Sequence, residues 1–385
     1  METPNIPTTT NSSRIVSLIA TTSPPAFAQE VWPAPPAGRG TFGFLRPAWL
    51  GEPTQTWRMP RLRRARSGDP GWGRRRSGRG WVYLDLDGRR IADREAIARC
   101  SALAVPPAWR EVWICPDPLG HIQATGTDDA GRRQYLYHLR WRANRDRAKH
   151  QRVVAMARRL PRARRSAAAD LALPGFPRER ALALAFRLLD DAYFRAGGEA
   201  YARDNGSYGL ATVRRDHVEV TDGVVAFTYP AKSGQVREAV VEDPTVLTAV
   251  LELRDREDDH PELLAWRDDG PDGAWHDIGT SDIQADVRRR LGPDAHPKDF
   301  RTWHATVLAA AGLADAGPAP TSARAQQVVV AAVVRDVAEQ LGNTPAVCRA
   351  SYVDPRLVDF WESGRTIGHH RTRAAAERAV IDLLS

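Results

Sequence analysis

The chain has 385 residues, 42% of them hydrophobic, so it can bury a substantial core and is not wholly disordered. Its 55 basic and 47 acidic residues give a formal net charge of +8, and no apolar run is long enough to span a membrane. The three cysteines, Cys100, Cys115 and Cys348, are too few and too scattered for a disulfide framework or a zinc site, which fits a reducing compartment.

Only Lys149, Lys232 and Lys298 are lysine; every other basic residue is arginine. A GC-rich genome accounts for most of that bias. Arginine keeps its proton in a protein, so a lysine retained here is a candidate for proton transfer that arginine cannot perform.

Residues 1–56 are rich in Pro, Thr and Ser and lack periodicity. They read as a disordered extension, or one that the true translation start excludes. Their short apolar stretch is too weak for a signal peptide. Residues 57–80 read as a basic arm. Nine arginines, among them Arg74, Arg75 and Arg76, stand against the single acid Asp69. So dense a run repels itself unless it lies on a polyanion.

Residues 81–145 read as a small mixed unit. A strand over 81–88 ends in an Asp-Gly turn, a short helix covers 93–100, and strands over 111–115 and 121–125 pair. The segment 131–138 alternates basic or polar residues with aromatic ones. It predicts an edge strand, with Arg132, Arg133, Gln134, Tyr135 and Tyr137 placed to touch phosphates or base edges. From 146 onward the pattern is helical. Helices are expected over 147–159 and 178–196, the second ending at Gly197-Gly198. Strands are expected over 208–214, 217–221, 224–229 and 236–241, with turns at Asp222-Gly223 and Lys232-Ser233-Gly234. Helices then cover 244–254, 281–290, 298–311, 322–341, 346–351, 355–361 and 369–384. The acid-rich stretch 252–286 otherwise reads as a solvated face or loop. The fold class is α+β: a small mixed unit, then a mainly helical unit carrying an inserted antiparallel sheet.

The chain has no P-loop, dinucleotide fingerprint, HExxH or CxxC motif, and its histidines lack ligand spacing. What remains is Arg195 before two glycines, Lys232 at a hairpin tip, Arg301 within a helix, and Asn343 and Tyr352 around a Gly/Pro break. Each alone is unremarkable. Together they meet the needs of transesterification at a phosphodiester. A tyrosine oxygen attacks phosphorus, two guanidiniums neutralise its oxygens, an amide adds a hydrogen bond, and a lysine protonates the departing 5′-oxygen.

The order Arg195, Lys232, Arg301, Asn343, Tyr352 resembles the catalytic pentad of the type IB DNA topoisomerases, in the bacterial, poxvirus-like branch. Matching blocks are Phe-Arg-Ala-Gly-Gly-Glu199, Asn-Gly-Ser-Tyr-Gly-Leu210, Lys-Ser-Gly234, Lys-Asp-Phe-Arg-Thr-Trp-His304, Leu-Gly-Asn-Thr-Pro345 and Tyr-Val-Asp-Pro355, with Gly-Arg-Arg-Gln-Tyr-Leu-Tyr-His138 upstream. The resemblance covers roughly 75–385. It implies a clamp on double-stranded DNA, with 81–145 on one side of the duplex and the catalytic domain, 146–385, on the other. It further implies a 3′-phosphotyrosyl intermediate, relaxation without ATP, no cofactor or metal, a monomeric enzyme, and a cytoplasmic, nucleoid-associated location. Asn343 stands where poxvirus and eukaryotic relatives carry histidine. The competing readings are a tyrosine site-specific recombinase and a non-catalytic DNA-binding protein. Recombinases usually place a histidine three residues before the second arginine, where this chain has Lys298.

Overall fold

A computed structural model describes residues 60–385 apart from Pro271 and Asp272. The expectation for 1–56 and the first arginine of the basic arm, Arg58, lie outside the described residues. Residues 61–385 form one compact unit, a mixed fold of helices and small antiparallel sheets.

The basic arm is more ordered than its composition implies. Strand β1 (Gly73–Ser77) pairs in register with β2 (Gly80–Leu84). Their tight turn places Gly78 at φ +56°, a conformation suited to glycine. Upstream, the Arg63 backbone bonds to the Leu119 carbonyl at 2.9 Å. Trp72 exchanges backbone hydrogen bonds of 2.8 and 2.7 Å with Ile114. The run is therefore held to the fold by main-chain bonds that its side-chain composition does not reveal.

Helix α1 (Arg94–Ala102) starts at Asp93, whose carboxylate accepts from the Glu95 and Ala96 amides. Strands β3 (Arg110–Ile114), β4 (Ile122–Thr127) and β5 (Arg133–Tyr137) form an antiparallel sheet in chain order. Cys100, Val105, Ile114 and Ala124 make a small core under it, flanked by Trp72, Tyr83, Trp109 and Leu136.

Helix α2 spans Leu139–Ala157, starting eight residues before the expected 147. Its first turns are arginine-rich and largely exposed, so no apolar period marks them, yet nothing in them breaks a helix. Helix α3 (Leu160–Leu171), absent from the sequence reading, buries Leu160, Ala163, Ala167 and Leu171 at helical spacing. Helix α4 (Arg178–Asp191) stops five residues before the expected 196. Tyr193 takes φ +56° and turns the chain, and Phe194 drops into the core. Arg195 thus lies on a loop, not on a helix end. A short helix, α5 (Glu199–Asn205), follows.

The expected strand 208–214 is instead a buried 3-10 turn at Leu210–Thr212. Its backbone donors are taken elsewhere: the Leu210 amide bonds to the Arg195 carbonyl at 2.8 Å and the Ala211 amide to Ala196 at 2.9 Å. Gly209 and Gly197 pass so closely that a Cβ on Gly209 would lie 2.4 Å from the Gly197 Cα. Strands β6 (Val218–Thr221), β7 (Val224–Pro230) and β8 (Val236–Val241) then form the inserted antiparallel sheet.

After α6 (Pro244–Arg254), the acid-rich stretch is not simply a loop. Leu263, Leu264 and Ala265 are buried, and β9 (Ala265–Arg267) pairs with β10 (Trp275–Asp277). The buried Arg256 guanidinium ties the stretch down through the Leu263 and Glu262 carbonyls at 2.7 and 2.6 Å.

Helices α7 (Thr280–Leu291), α8 (Pro297–Asp315), α9 (Ala323–Leu341), α10 (Pro345–Ser351), α11 (Arg356–Glu362) and α12 (Arg373–Leu384) complete the unit. The last begins four residues after the expected 369, at the Thr372 cap. Helix α8 is the axis of the main core. Phe300 and Trp303 are fully buried on it, and Phe300 meets Phe186 of α4 edge-to-face at 5.3 Å. Each such side chain stabilises the fold by about 2–3 kcal/mol on area grounds. No helix among the described residues is long and apolar enough to cross a membrane.

Candidate active site

Arg301 points from α8 into the protein and is only 2% exposed. A buried guanidinium without counter-charge is costly, so its hydrogen bonds matter. It donates to the Tyr193 carbonyl just past α4 and, at 2.6 Å, to the Leu341 carbonyl at the end of α9. Its Nε is buried without a partner. Burial, reinforced by the charges of Arg195 and Arg237, pushes its pKa down to about 10, while Tyr352 opposes that shift.

Helix α9 ends at Gly342, in the left-handed conformation at φ +60°. The turn leaves a row of acceptors. Arg195 donates to the Gly342 carbonyl at 3.0 Å and to the Asn343 side-chain oxygen at 2.6 Å. Helix C-terminal carbonyls carry partial negative charge and suit cations. With its oxygen engaged, Asn343 has its amide nitrogen left over, and Nδ2 is buried with no acceptor.

Tyr352 follows α10, whose start is capped by Thr344. The Tyr352 amide bonds back to Cys348 at 2.9 Å, and its carbonyl accepts from the Thr306 hydroxyl of α8 at 3.3 Å. The Arg301 guanidinium carbon is 5.4 Å from the Tyr352 ring centre. Arg195, Arg301, Tyr352, Lys298 and His296 line one open cavity of about 340 Å³. Arg195, Arg301 and Tyr352, far apart in sequence, thus meet around one space, and Asn343 is bonded to Arg195.

Lys232 stands at the exposed turn after β7. It lines a neighbouring cavity of about 550 Å³ with Arg195, Tyr208, Gly197, Gly198 and Arg132. Tyr352 and Arg301 do not line that cavity; Arg195 lines both spaces. Among the described residues Lys232 has no ion-pair partner.

The residues expected to meet nucleic acid divide. Tyr135 and Tyr137 on β5 are 42% and 39% exposed and stack with ring centres 6.0 Å apart. Gln134, on the other face, donates to Asp128 at 2.8 Å, and Arg133 donates to the Thr125 hydroxyl at 2.7 Å. Arg132 pairs with Asp128 at 2.9 Å yet remains largely exposed beside Lys232. Arg75 and Arg76 are exposed. Arg74 turns inward: it donates to the Val105, Pro106 and Trp109 carbonyls and covers the Trp81 ring at 3.9 Å. Its guanidinium is engaged inside the fold.

The sequence reading passed over Arg237 on β8. Its guanidinium donates to the Gln340 carbonyl at 3.0 Å and to Ala192 at 3.4 Å, and packs against Gly342. The signal was faint: one basic residue five positions after Lys232, on a strand of mixed polarity. Among the described residues, His260, Glu262 and Asp277 are a set whose ligand atoms lie within 4.8 Å of one another. None of the three lines either cavity beside Arg195.

Residues 80–128 match the N-terminal domain of bacterial DNA topoisomerase IB. Residues 138–359, more than half of the chain, match the catalytic core of eukaryotic DNA topoisomerase I. The DNA topoisomerase 1B of Acanthamoeba polyphaga mimivirus is 28% identical over 293 residues, which cover 75% of this chain and 87% of that protein. The chain belongs to the type IB DNA topoisomerase family, with an N-terminal domain of the bacterial kind.

Proposed function

We propose that this topoisomerase nicks one strand of duplex DNA through Tyr352, lets the DNA rotate, and reseals it. The Tyr352 oxygen bonds to phosphorus, the bond to the 5′-oxygen breaks, and a 3′-phosphotyrosyl ester remains. The phenol proton passes to water, and Lys232 gives its proton to the departing 5′-hydroxyl. Resealing runs the same steps backwards, with Lys232 as base. The ester keeps the bond energy, so no ATP is consumed. Arg195 and Arg301 neutralise the pentavalent phosphorus in both directions. Asn343 donates one hydrogen bond; an amide cannot supply a proton as an imidazolium can.

One observation carries this reading: the Nε of Arg301, whose guanidinium lies 5.4 Å from the Tyr352 ring centre, and the Nδ2 of Asn343, whose amide oxygen is held by Arg195, are buried donors without acceptors. Such donors are expensive in a finished structure and are explained by an anion that arrives. Closing of the clamp on the duplex would bring the Lys232 side of Arg195 toward the 5′-oxygen.

The unit with its own small core, 81–145, would cover one face of the duplex, preceded by the basic arm 57–80. The catalytic domain, 146–385, would hold the other face in the manner of the tyrosine recombinases and type IB enzymes. Tyr135, Tyr137, Gln134, Arg132, Arg133, Arg75 and Arg76 would contact the DNA, and Arg74 would hold the hairpin that presents its neighbours. One copy suffices for such a clamp, acting on the nucleoid in the cytoplasm. A site-specific recombinase is not favoured: both matched families are topoisomerases, and Lys298 occupies the recombinase histidine's place.

The test is relaxation of negatively and positively supercoiled plasmid in excess EDTA without ATP. Wild type relaxes both and forms a covalent adduct on the 3′ side of the nick. Tyr352→Phe binds DNA and does neither. Relaxation by Tyr352→Phe, or dependence on ATP, overturns the mechanism.

A further inference from the structure

The end of α9 offers three successive carbonyls, and each holds a different guanidinium. Gln340 accepts from Arg237, Leu341 from Arg301 and Gly342 from Arg195. The end of α4 does the same on the opposite side, with Ala192 accepting from Arg237 and Tyr193 from Arg301. Arg237 therefore bridges the two helix ends that hold the catalytic arginines. Among the described residues, none of the three guanidiniums has a carboxylate within 4.0 Å.

Holding Arg237 there has a cost. Burial, with help from the Arg195 charge, lowers its pKa. Its stem presses on Gly342 so closely that a Cβ there would lie 2.9 Å from the Arg237 Cδ. A residue needed only to fill space between β8 and α9 would be apolar, since replacing a buried charge with a hydrophobic side chain usually stabilises a fold.

We propose that Arg237 is a positioning residue of the cleavage site, fixing the turn that carries Asn343 and adding a third positive charge to the field at the scissile phosphate. This rests on the assignment of Tyr352 as nucleophile. The turn closes through the Gly342 amide to the Glu339 carbonyl at 3.0 Å and the Asn343 amide to the Ala338 carbonyl at 2.8 Å, which leaves the Gln340, Leu341 and Gly342 carbonyls to the three guanidiniums. Arg237 and Arg301 also bond to neighbouring carbonyls at both helix ends, so their charges lie close, and Arg237 adds to the downward push on the Arg301 pKa. Once the phosphate is bound, repulsion among the three cations becomes shared attraction to one anion. That energy is greatest when the phosphorus carries its extra charge in the transition state.

The test compares single-turnover cleavage of two duplexes by Arg237→Gln. One carries a normal phosphodiester at the scissile position and the other a neutral methylphosphonate. Glutamine keeps a donor for the Gln340 carbonyl and removes the charge. The variant should lose roughly 10- to 100-fold on the phosphodiester and less than about threefold on the methylphosphonate, relative to wild type on each. An equal loss on both substrates, or no loss on the phosphodiester, overturns the proposal. If Arg237→Gln lacks a cooperative thermal transition, Arg237→Lys carries the comparison. It keeps the charge and should stay within about fivefold of wild type on the phosphodiester. A larger loss, equal on both substrates, or failure of both variants to fold, makes Arg237 a scaffold residue and overturns the proposal. Wild type and Tyr352→Phe run alongside. If wild type forms no adduct, or Tyr352→Phe forms one, what fails is the assignment of Tyr352.

Discussion

Arg301 and His304 stand one turn apart on α8, and each faces a cluster of arginines built on opposite terms. Around His304 the charges are matched. Arg164 bonds to Asp190 and Glu377, both at 2.6 Å, and Arg373 reaches Asp190 at 2.6 Å, Asp191 at 2.9 Å and Glu377 at 3.0 Å. His304 completes the set at 2.9 Å from Asp190. Around Arg301 the guanidiniums of Arg195 and Arg237 find carbonyls and one amide oxygen, and no carboxylate. The border runs through consecutive residues of the chain. The side chains of Asp190 and Asp191 serve the matched cluster, and the carbonyls of Ala192 and Tyr193 serve the unmatched one. Matched charge joins α3, α4, α8 and α12 into a scaffold. Unmatched charge next door is stability given up at the place where an anion must bind.

The largest expected effect separates the two clusters by what each loses. Arg301→Gln should lower the single-turnover cleavage rate roughly 100- to 1000-fold, the range seen when a charge-stabilising donor is removed. Its thermal midpoint should hold or rise, because a buried unpaired cation has gone. Asp190→Ala should do the reverse. It removes the one carboxylate that Arg164, Arg373 and His304 share, and should destabilise the fold by about 3–5 kcal/mol. Thermal melts and cleavage kinetics on both variants decide it. If Arg301→Gln melts as early as Asp190→Ala, the unmatched cluster is scaffold too.

Lys232 sharpens the comparison, because in the proposed mechanism it is the cation that moves a proton. Lys232→Ala should slow cleavage roughly 100- to 10,000-fold, and Lys232→Arg should not recover it, since the guanidinium keeps its proton. A substrate whose 5′ leaving group is a thiolate needs no proton and should restore cleavage to Lys232→Ala. An unrestored rate would mean that Lys232 acts through charge alone.

Acid should undo the matched side first. His304 is held well below its ordinary pKa by burial. His150, beside Asp354, is pushed down to about 4, again chiefly by burial. For Asp190 and Glu377 burial works to raise the pKa, but the His304, Arg164 and Arg373 contacts outweigh it and both stay ionised below the usual range. All four folded-state values are depressed, so their stability is present at neutral pH and lost as pH falls. The histidine share goes between about pH 6.5 and 4, and for His150 it is worth about 3 kcal/mol at most. The carboxylate share goes below about pH 4. The thermal midpoint should therefore drop in two stages, the first between about pH 6.5 and 4 and the second below about pH 4. A flat midpoint down to pH 5 would show that the buried histidines are not held neutral.

The sequence made the members of the candidate site legible and concealed its wiring. Helix α9 with its Gly342 stop, the Lys232 turn and the Arg301 helix all carry local signals: period, glycine, hairpin. Arg195 was misplaced onto a helix because Tyr193's left-handed turn has no compositional mark. Residues 208–214 look like a strand by pattern. They became a 3-10 turn because the Arg195 and Ala196 carbonyls took their amides, a tertiary competition that no window of sequence contains. Arg237 was missed for the same reason: its importance lies in two carbonyls 45 and 103 residues away.

The smallest expected effect tests the same rule in the N-terminal hairpin, where three arginines in a row look equivalent. Burial separates them. Arg74 covers Trp81 at 3.9 Å and bonds to the carbonyls of Val105, Pro106 and Trp109, whereas Arg75 and Arg76 are exposed, Arg76 coming no closer than 5.8 Å to the same ring centre. Arg74→Ala removes the donor from three carbonyls and a covered aromatic face, and should destabilise the fold by about 1–3 kcal/mol. Arg75→Ala and Arg76→Ala should leave the melt unchanged. If each meets one phosphate, each should lower the slope of log affinity against log salt by about 0.9, equally for any DNA sequence. Binding isotherms at four salt concentrations measure that slope. An unchanged slope in both variants would take this hairpin off the DNA and leave the basic run with Arg74's role alone, that of packing.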